Sequence, residues 1–247
     1  MNIKKKGFNI ALDGLSGVGK SSIGCQVAKR LNFTFIDSGL FYRYIADRFY
    51  LDDTIQLNEI HLFKNKMIGS PSYYLQEIEF YLQEKTPQEE LQIGQKASEI
   101  SKVPEIRNII NEIIQTITKN GGYVVVGRDA TIKILPNARV KLVLEADFEM
   151  RLYRRVKQLN AEEFVAKVFS DLLKRDVDSF DLVLEAKKVA TIINTSNLSI
   201  KQVVARILSR ISWVKYSDNN ILHFIIFILF VFVYTLRAHF LEKIESN

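Results

Sequence analysis

Gly14-Leu15-Ser16-Gly17-Val18-Gly19-Lys20-Ser21 has the residue types and spacing of a phosphate cradle, G-x-x-x-x-G-K-[ST]. Its glycines let backbone N–H groups turn inward around an anion. Lys20 can reach the β- and γ-phosphates of a nucleotide, and the Ser21 hydroxyl can hold Mg²⁺. A helix opening at this point adds the positive end of its dipole. Three other groups carry side chains suited to phosphates or bases: Asp37-Ser38-Gly39-Leu40-Phe41-Tyr42-Arg43, Gly127-Arg128-Asp129 and Leu173-Lys174-Arg175-Asp176-Val177-Asp178. A guanidinium fork binds oxyanions bidentately. His61, His223 and His239 form no cluster along the chain, and no metal-ligand spacing beyond Ser21 appears. An acceptor phosphate is already ionised near neutrality, so chemistry of this kind needs positioning and charge neutralisation rather than a general base.

These groups need a scaffold that brings them together. Short runs rich in β-branched or aromatic residues predict strands at Phe8–Leu12, Phe33–Ile36, Tyr123–Val126, Val140–Leu144 and Thr191–Ile193. Helical patterns cover Ser21–Leu31, Phe41–Tyr50, Ile106–Thr118, Asp147–Gln158 and Ile200–Ser209. Ser199 with Gln202 reads as a capping box at the last of these. Alternation with short connections predicts a mostly parallel sheet covered by helices on both faces. Ligands in such sheets sit at the carboxyl ends of the strands, where the chemical groups all lie. Residues 51–97 break the rhythm with Gly69-Ser70-Pro71 and the capping box Thr86-Pro87-Gln88-Glu89, and read as an insertion over the cleft.

The chain has 247 residues, nearly half of them apolar, enough for one α/β domain with an appendage. Its formal charge of +6 suits anionic nucleotides. No RNA-binding motif or dense basic stripe accompanies that charge, so no nucleic-acid partner is expected. Lys4, Lys5 and Lys6 read as a solvated terminus. The single cysteine, Cys25, excludes a disulfide within the chain and reads as a small buried apolar residue. No secretory signal opens the sequence.

Further segments keep the same order as the chemical groups. They are Asp13-Gly14 leading into the loop, Ala97-Ser98-Glu99-Ile100, Val103-Pro104-Glu105-Ile106-Arg107, Leu135-Pro136-Asn137-Ala138, Arg154-Arg155-Val156-Lys157-Gln158-Leu159 and Asn194-Thr195-Ser196-Asn197-Leu198-Ser199-Ile200. Taken together, the chain from about Phe8 to about Leu208 resembles the bacterial cytidylate kinases. The resemblance implies a P-loop nucleoside monophosphate kinase fold: α/β, a parallel sheet with helices on both faces, a monophosphate-binding insert and a lid. It implies phosphoryl transfer from ATP, with Mg²⁺, to CMP or dCMP in pyrimidine nucleotide metabolism, by a monomer in the cytoplasm. Carried over residue by residue, Gly14, Leu15, Ser16, Gly17, Val18, Gly19, Lys20, Ser21 and Ser22 would hold the ATP phosphates, with Ser21 on Mg²⁺. Ser38, Tyr42 and Arg43 would face the acceptor nucleotide. Ser98, Arg107 and Asp129 would read the cytosine edge, and Arg128 would hold the acceptor phosphate. Arg175 and Asp178 would lie near the ribose.

The chain departs from that family in two places. The lid pattern Arg-Asp-x-x-Asp-x-x-Arg, then Ala-Pro-Leu, becomes Arg175-Asp176-Val177-Asp178-Ser179-Phe180-Asp181, without the second arginine or the proline; Asp181 is aligned with the missing arginine. Arg151, Arg154 and Arg155 are candidates to replace its charge, which makes Lys20, Arg128, Arg154 and Arg155 the expected catalytic set. Glu90-Leu91-Gln92-Ile93 poorly matches the family's Arg-Thr-Pro-Glu-Val, which loosens the expectation about the acceptor base. A kinase for another small monophosphate or metabolite, or a catalytically weakened membrane-anchored nucleotide-binding protein, are the alternatives. The expected organisation is a kinase-like domain over 1–214, with its insert at 51–97 and lid at 158–182, and a tail over 215–247. Residues 221–236 of that tail form an apolar run flanked by Lys215 and Arg237, a candidate membrane anchor that at 16 residues is short for a span.

Overall fold

The computed structural model describes residues 7–51, 54–160, 163 and 165–218. Lys4 to Lys6 and the apolar run 221–236 lie outside the described residues. Among the described residues no helix is long and apolar enough to cross a membrane. The chain divides into two compact units, 1–203 and 204–247. The sheet and the cleft belong to the first.

That unit is built on five parallel strands: β1 (Ile10–Gly14), β2 (Thr34–Asp37), β5 (Tyr123–Val126), β6 (Val140–Glu145) and β7 (Thr191–Asn194). Their order is β2-β5-β1-β6-β7. Register matters more here than order. Leu12 of β1 and Asp37 of β2 both stand opposite Val126 of β5. The segments leaving β1, β2 and β5 therefore start at one level, and these are the phosphate loop, Asp37-Ser38 and Gly127-Arg128-Asp129. Central β1 and β5 are fully buried through Ile10, Ala11, Leu12, Val124, Val125 and Val126, as expected for parallel strands covered on both faces.

Helices α1 (Lys20–Leu31), α2 (Ser38–Arg48), α6 (Pro104–Thr118), α7 (Phe148–Leu159), α8 (Val165–Val189) and α9 (Ile200–Asp218) connect or follow these strands. In α6, proline takes the first position, and Ile106, Ile109, Ile110, Ile113, Ile114 and Ile117 are all buried, as their spacing predicts. The Ser199–Gln202 box forms at the start of α9 in both directions. Cys25, expected inside, is exposed. The buried positions of α1 are Ile23, Gly24, Val27 and Ala28, and at about 100° per residue Cys25 turns off that face.

Residues 50–100 hold a two-stranded antiparallel pair, β3 (Tyr50–Leu51) with β4 (Thr54–Ile55), and helices α3 (Leu57–Gly69), α4 (Pro71–Gln83) and α5 (Pro87–Ile100). Thr86 and Glu89 form the reciprocal capping box that starts α5. Ile60, Phe63, Met67, Ile78 and Leu82 share one core with α2 and α6. The stretch between α7 and β7 is dominated by α8, one unbroken helix of 25 residues.

Candidate functional site

The phosphate loop leaves β1 and ends at α1. Gly17 and Gly19 have φ of 77° and 95°, the left-handed region where a side chain is strained. At Gly17 a Cβ would also lie 2.7 Å from the carbonyl oxygen of Arg151, so α7 approaches the loop as closely as a bare backbone allows. Lys20 Nζ donates to the carbonyls of Gly14 and Leu15 at 2.6 and 2.7 Å. Gly14 and Leu15 thus serve the loop from beneath, while Ser16 to Ser22 line the cleft. Burial, reinforced by the charge of Arg128, draws the Lys20 ammonium down to a pKa of about 7, with Asp37, Asp13 and Asp176 pulling the other way. Ser21 Oγ donates to Asp37 Oδ2 at the mouth of the loop. Asp37 Oδ1 accepts the Gly39 N–H and caps α2. A hydroxyl and a carboxylate side by side are hard oxygen donors of the kind Mg²⁺ takes together with substrate phosphates.

The cleft has a volume of about 580 Å³. It brings together Ser38, Tyr42, Arg43, Ser98, Arg107, Arg128, Asp129, Arg154, Arg155, Arg175 and Asp178 with the phosphate loop. Arg128 is its hub. Nη2 donates to Ser16 Oγ at 2.7 Å, and Nη1 donates to the Arg175 carbonyl and to Ser179 Oγ at 2.9 and 2.8 Å. Arg128 therefore ties the phosphate loop to α8. Its placement begins one turn further on. The buried Asp13 carboxylate accepts the N–H groups of Ala130 and Thr131 and the Thr131 hydroxyl, fixing the short π-helix Ala130–Ile134 that follows Asp129. Burial raises the pKa of Asp13.

Three guanidinium groups line this centre, and each is depressed by burial and by neighbouring arginines, Arg43 acting on all three. Arg128 and Arg155 are drawn down to about 10, first by burial and then by neighbouring arginines, Arg175 for the former and Arg43 for the latter. Burial lowers Arg175 as well. Arg175 Nε is held by Asp171 at 3.0 Å, and the Arg155 Nη1 stands 3.9 Å from Glu90. The Nη2 atoms of Arg155 and Arg175 are buried without a hydrogen-bond partner among the described residues. Unpaired buried donors beside a phosphate loop are able to take an anion.

The other two arginines of α7 differ from Arg155. Arg151 is buried and spent on structure: it pairs with Asp176 of α8 and donates to the carbonyls of Ser16 and Ala146. It does not line the cleft. Arg154 lines it, with Nη1 on Thr195 Oγ1 at 3.1 Å and Nη2 on the Thr195 carbonyl at 2.8 Å.

On the acceptor side, Arg107 Nη1 and Asp129 Oδ2 pair at 2.5 Å, and Arg107 Nε and Nη2 both donate to the Ser101 carbonyl. The Arg107 guanidinium lies 5.9 Å from the centre of the Tyr42 ring. The Tyr42 hydroxyl is buried without a partner among the described residues, and burial pushes its pKa up. Ser98 Oγ donates to Asp178 Oδ2 at 3.3 Å, and Lys102 pairs with the other oxygen at 2.7 Å. This bridge joins α5 to α8, and Lys102 holds the Asp178 carboxyl below its usual range although partial burial opposes that.

The continuous α8 corrects the alignment of the lid. Arg175, Ser179 and Leu182 share the cleft-facing side at spacings of four and three, whereas Asp181 is exposed. The Arg-Asp-x-x-Asp-x-x-Arg pattern counted from Arg175 reaches Ser179 and Leu182, so an aliphatic side chain, not Asp181, stands where the second arginine belongs. Sequence reasoning also passed over Asp37 as a site residue. Its partner Ser21 follows a different strand, and only the shared level of β1 and β2 puts them together.

The sequence comparisons agree on one family. A model of the cytidylate kinase family matches residues 10–213. A cytidylate kinase of Mycoplasmopsis pulmonis (strain UAB CTIP) is 37% identical over 220 residues, covering 84% of this chain and 96% of that protein. Another, of Mycoplasmopsis synoviae (strain 53), is 36% identical over 224 residues, covering 82% and 97%. A crystal structure of an uncharacterized protein from Eubacterium ventriosum ATCC 27560 superposes with a TM-score of 0.51 at 12% identity, over 84% of this chain and 99% of that one, a likeness of fold alone. With a family model spanning most of its length and relatives aligned almost end to end, the chain belongs to the cytidylate kinase family.

Proposed function

We propose that this cleft transfers the γ-phosphoryl group of ATP, accompanied by Mg²⁺, to CMP or dCMP, with its residues divided between donor, transfer and acceptor. The loop Ser16–Ser22 holds the ATP phosphates, and Lys20 leaves its two carbonyls for the β- and γ-oxygens. Ser21 and Asp37 would hold Mg²⁺, which when bound neutralises charge on the transferring group. Arg128, Arg155 and Arg175 converge on the space between loop and acceptor, where the phosphoryl group and the acceptor phosphate meet. The acceptor oxygen is an anion already, so no residue has to remove a proton. The work of the protein is to hold two polyanions in line and offset their repulsion.

The acceptor base is read by the Arg107–Asp129 pair. A carboxylate accepts from the exocyclic amino group that cytosine carries at position 4, and the guanidinium donates to its ring acceptors. Uracil and thymine present an oxygen at that position, which faces the carboxylate with like polarity. A site built on such hydrogen bonds rejects a mismatched base strongly because its own polar groups lose their partners. The single observation that carries this reading is the opposition, across one cleft, of a phosphate loop with unpaired guanidinium donors and the pair of half-buried Arg107 with buried Asp129. The reaction takes place where both nucleotides are, in the cytoplasm. Turnover with CMP, dCMP, UMP, AMP and dTMP tests it. CMP and dCMP should outperform AMP and dTMP by a wide margin, and equal catalytic efficiency across the set would remove the cytidylate reading.

A further inference from the structure

Gly94 stands in the middle of α5, where glycine weakens a helix. Its φ lies outside the left-handed region, so the backbone does not require it. What requires it is a side chain of another helix. Gly94 is buried and lines the cleft. The three atoms nearest to a Cβ placed there all belong to the Arg175 guanidinium: Nη2 at 2.0 Å, Cζ at 3.2 Å and Nη1 at 3.7 Å. Arg175 of α8 thus lies against α5 in the gap that the missing side chain leaves.

The guanidinium is confined on two sides. Asp171, one turn earlier on α8, holds Nε at 3.0 Å. The bare backbone of the insert meets the other end. Nη2, the atom against Gly94, is the one without a hydrogen-bond partner among the described residues. The approach continues one turn further on, where Ser98 Oγ of α5 donates to Asp178 Oδ2 of α8. Residues 94 and 98 of the insert therefore face 175 and 178 of α8 along one seam.

We infer that Gly94 is a positioning residue for the transfer: its lack of a side chain sets where the Arg175 cation stands when α5 rests on α8. The inference deepens the transfer reading of the cleft and rests on it. With a side chain at 94, Nη2 must withdraw by about 1 Å or more, and misplacing a group by that much costs about 10²-fold in rate. The atoms in the way are the free end of a flexible side chain, and the cleft beside them is open, so Arg175 gives way rather than the helix. Alanine at 94 also favours the helix itself. The change is therefore felt in catalysis and not in folding.

Gly94→Ala and Arg175→Lys, singly and together, test this. Lysine keeps a charge for Asp171 but lacks the fork that meets residue 94. Gly94→Ala should lower kcat/KM for CMP by about 10–100-fold without lowering the midpoint of thermal unfolding. The double variant should be no worse than Arg175→Lys alone, because the group that alanine displaces is gone. Near-normal efficiency in Gly94→Ala would overturn the inference. Losses that add would overturn it too, since Gly94 would then act on the acceptor directly and not through Arg175. If Gly94→Ala unfolds the chain, the double variant decides: folding restored by Arg175→Lys supports the inference, and a chain that stays unfolded overturns it. Binding of inorganic phosphate, measured by calorimetry, reads the same cycle without turnover. A wild-type chain that phosphorylates no nucleotide would remove the transfer reading, while the phosphate cycle still decides the role of Gly94.

Discussion

Arg155→Met separates function from stability more sharply than any other change in the cleft. Arg155 is 6% exposed, its Nη2 lacks a partner among the described residues, and Glu90 is 3.9 Å away. Burial together with Arg43 and Arg175 draws its pKa down to about 10. At about 1.4 kcal/mol for each tenfold change in proton affinity, holding that charge in place costs the fold on the order of 3 kcal/mol. Methionine keeps most of the side-chain volume and removes the charge, and replacing a poorly paired buried ion by an apolar group is neutral or stabilising. The variant should therefore melt at the same temperature or higher, by about 2–4 °C for each kcal/mol recovered. Its turnover should fall by about 10²–10³, the usual loss when one preorganised donor to a charged transition state is removed. The CMP concentration at half-saturation should move far less than kcat. Thermal denaturation followed by circular dichroism, alongside a coupled assay of ADP release, reads both quantities from one preparation. A variant that melts lower and keeps near-normal turnover would show that Arg155 is a structural cation and that the transferring group is neutralised elsewhere.

The remaining predictions bear on the donor and acceptor halves. Lys20→Ala should abolish transfer with the fold retained, because the ammonium touches only loop carbonyls; near-normal turnover would sink the phosphate-loop assignment. The pKa of Lys20, about 7, lies below its ordinary 10.5, so the unfolded chain binds more protons between those limits and this group's contribution to stability rises with pH across that window. A bound polyphosphate restores the charged form. Above pH 7, ATP binding should therefore take up a proton and weaken by up to about tenfold per pH unit, and calorimetry in buffers of different ionisation heat detects that uptake or its absence. Asp37→Asn should raise the Mg²⁺ concentration needed for half-maximal rate about 10–100-fold with little change in CMP affinity, and an unchanged Mg²⁺ requirement would remove Asp37 from the cation site. Asp129→Asn should erode discrimination between CMP and UMP more than it lowers the rate with UMP, and kcat/KM measured for both acceptors decides the matter.

Much of the frame was legible before any coordinates, because it rests on local rules. Tyr123–Val126 is recognisable as a strand by its β-branched run, and α6 by six isoleucines at helical spacing. The phosphate loop is a local turn whose glycines answer to backbone geometry. The site was legible only where a residue's role is set by its own segment. Asp37 needs the register of β2 against β5, and of β5 against β1, before it meets Ser21. Arg151, Arg154 and Arg155 look interchangeable along α7. Their fates are decided by residues 25 to 65 positions away: Asp176 takes Arg151, Thr195 takes Arg154, and Glu90 stands just short of Arg155. Cys25 misled because composition predicts burial while helical phase decides it.

Leu182 shows why the missing arginine does not leave the cleft short of charge. An arginine on a mobile lid contributes only when the lid closes, and binding energy has to order it first. In the transfer site proposed here, the cations sit on α7, at the end of β5 and on the inner face of α8. Two of them are braced before substrate arrives, Arg128 by Ser16, Ser179 and the Arg175 carbonyl, and Arg175 by Asp171, while Arg155 is held by burial, 3.9 Å from Glu90. Preorganised charge does not have to be ordered at the moment of transfer, but it costs the fold stability, as the lowered pKa values of Arg128 and Arg155 record. Asp176 and Asp171, both buried on α8, offset part of that cost.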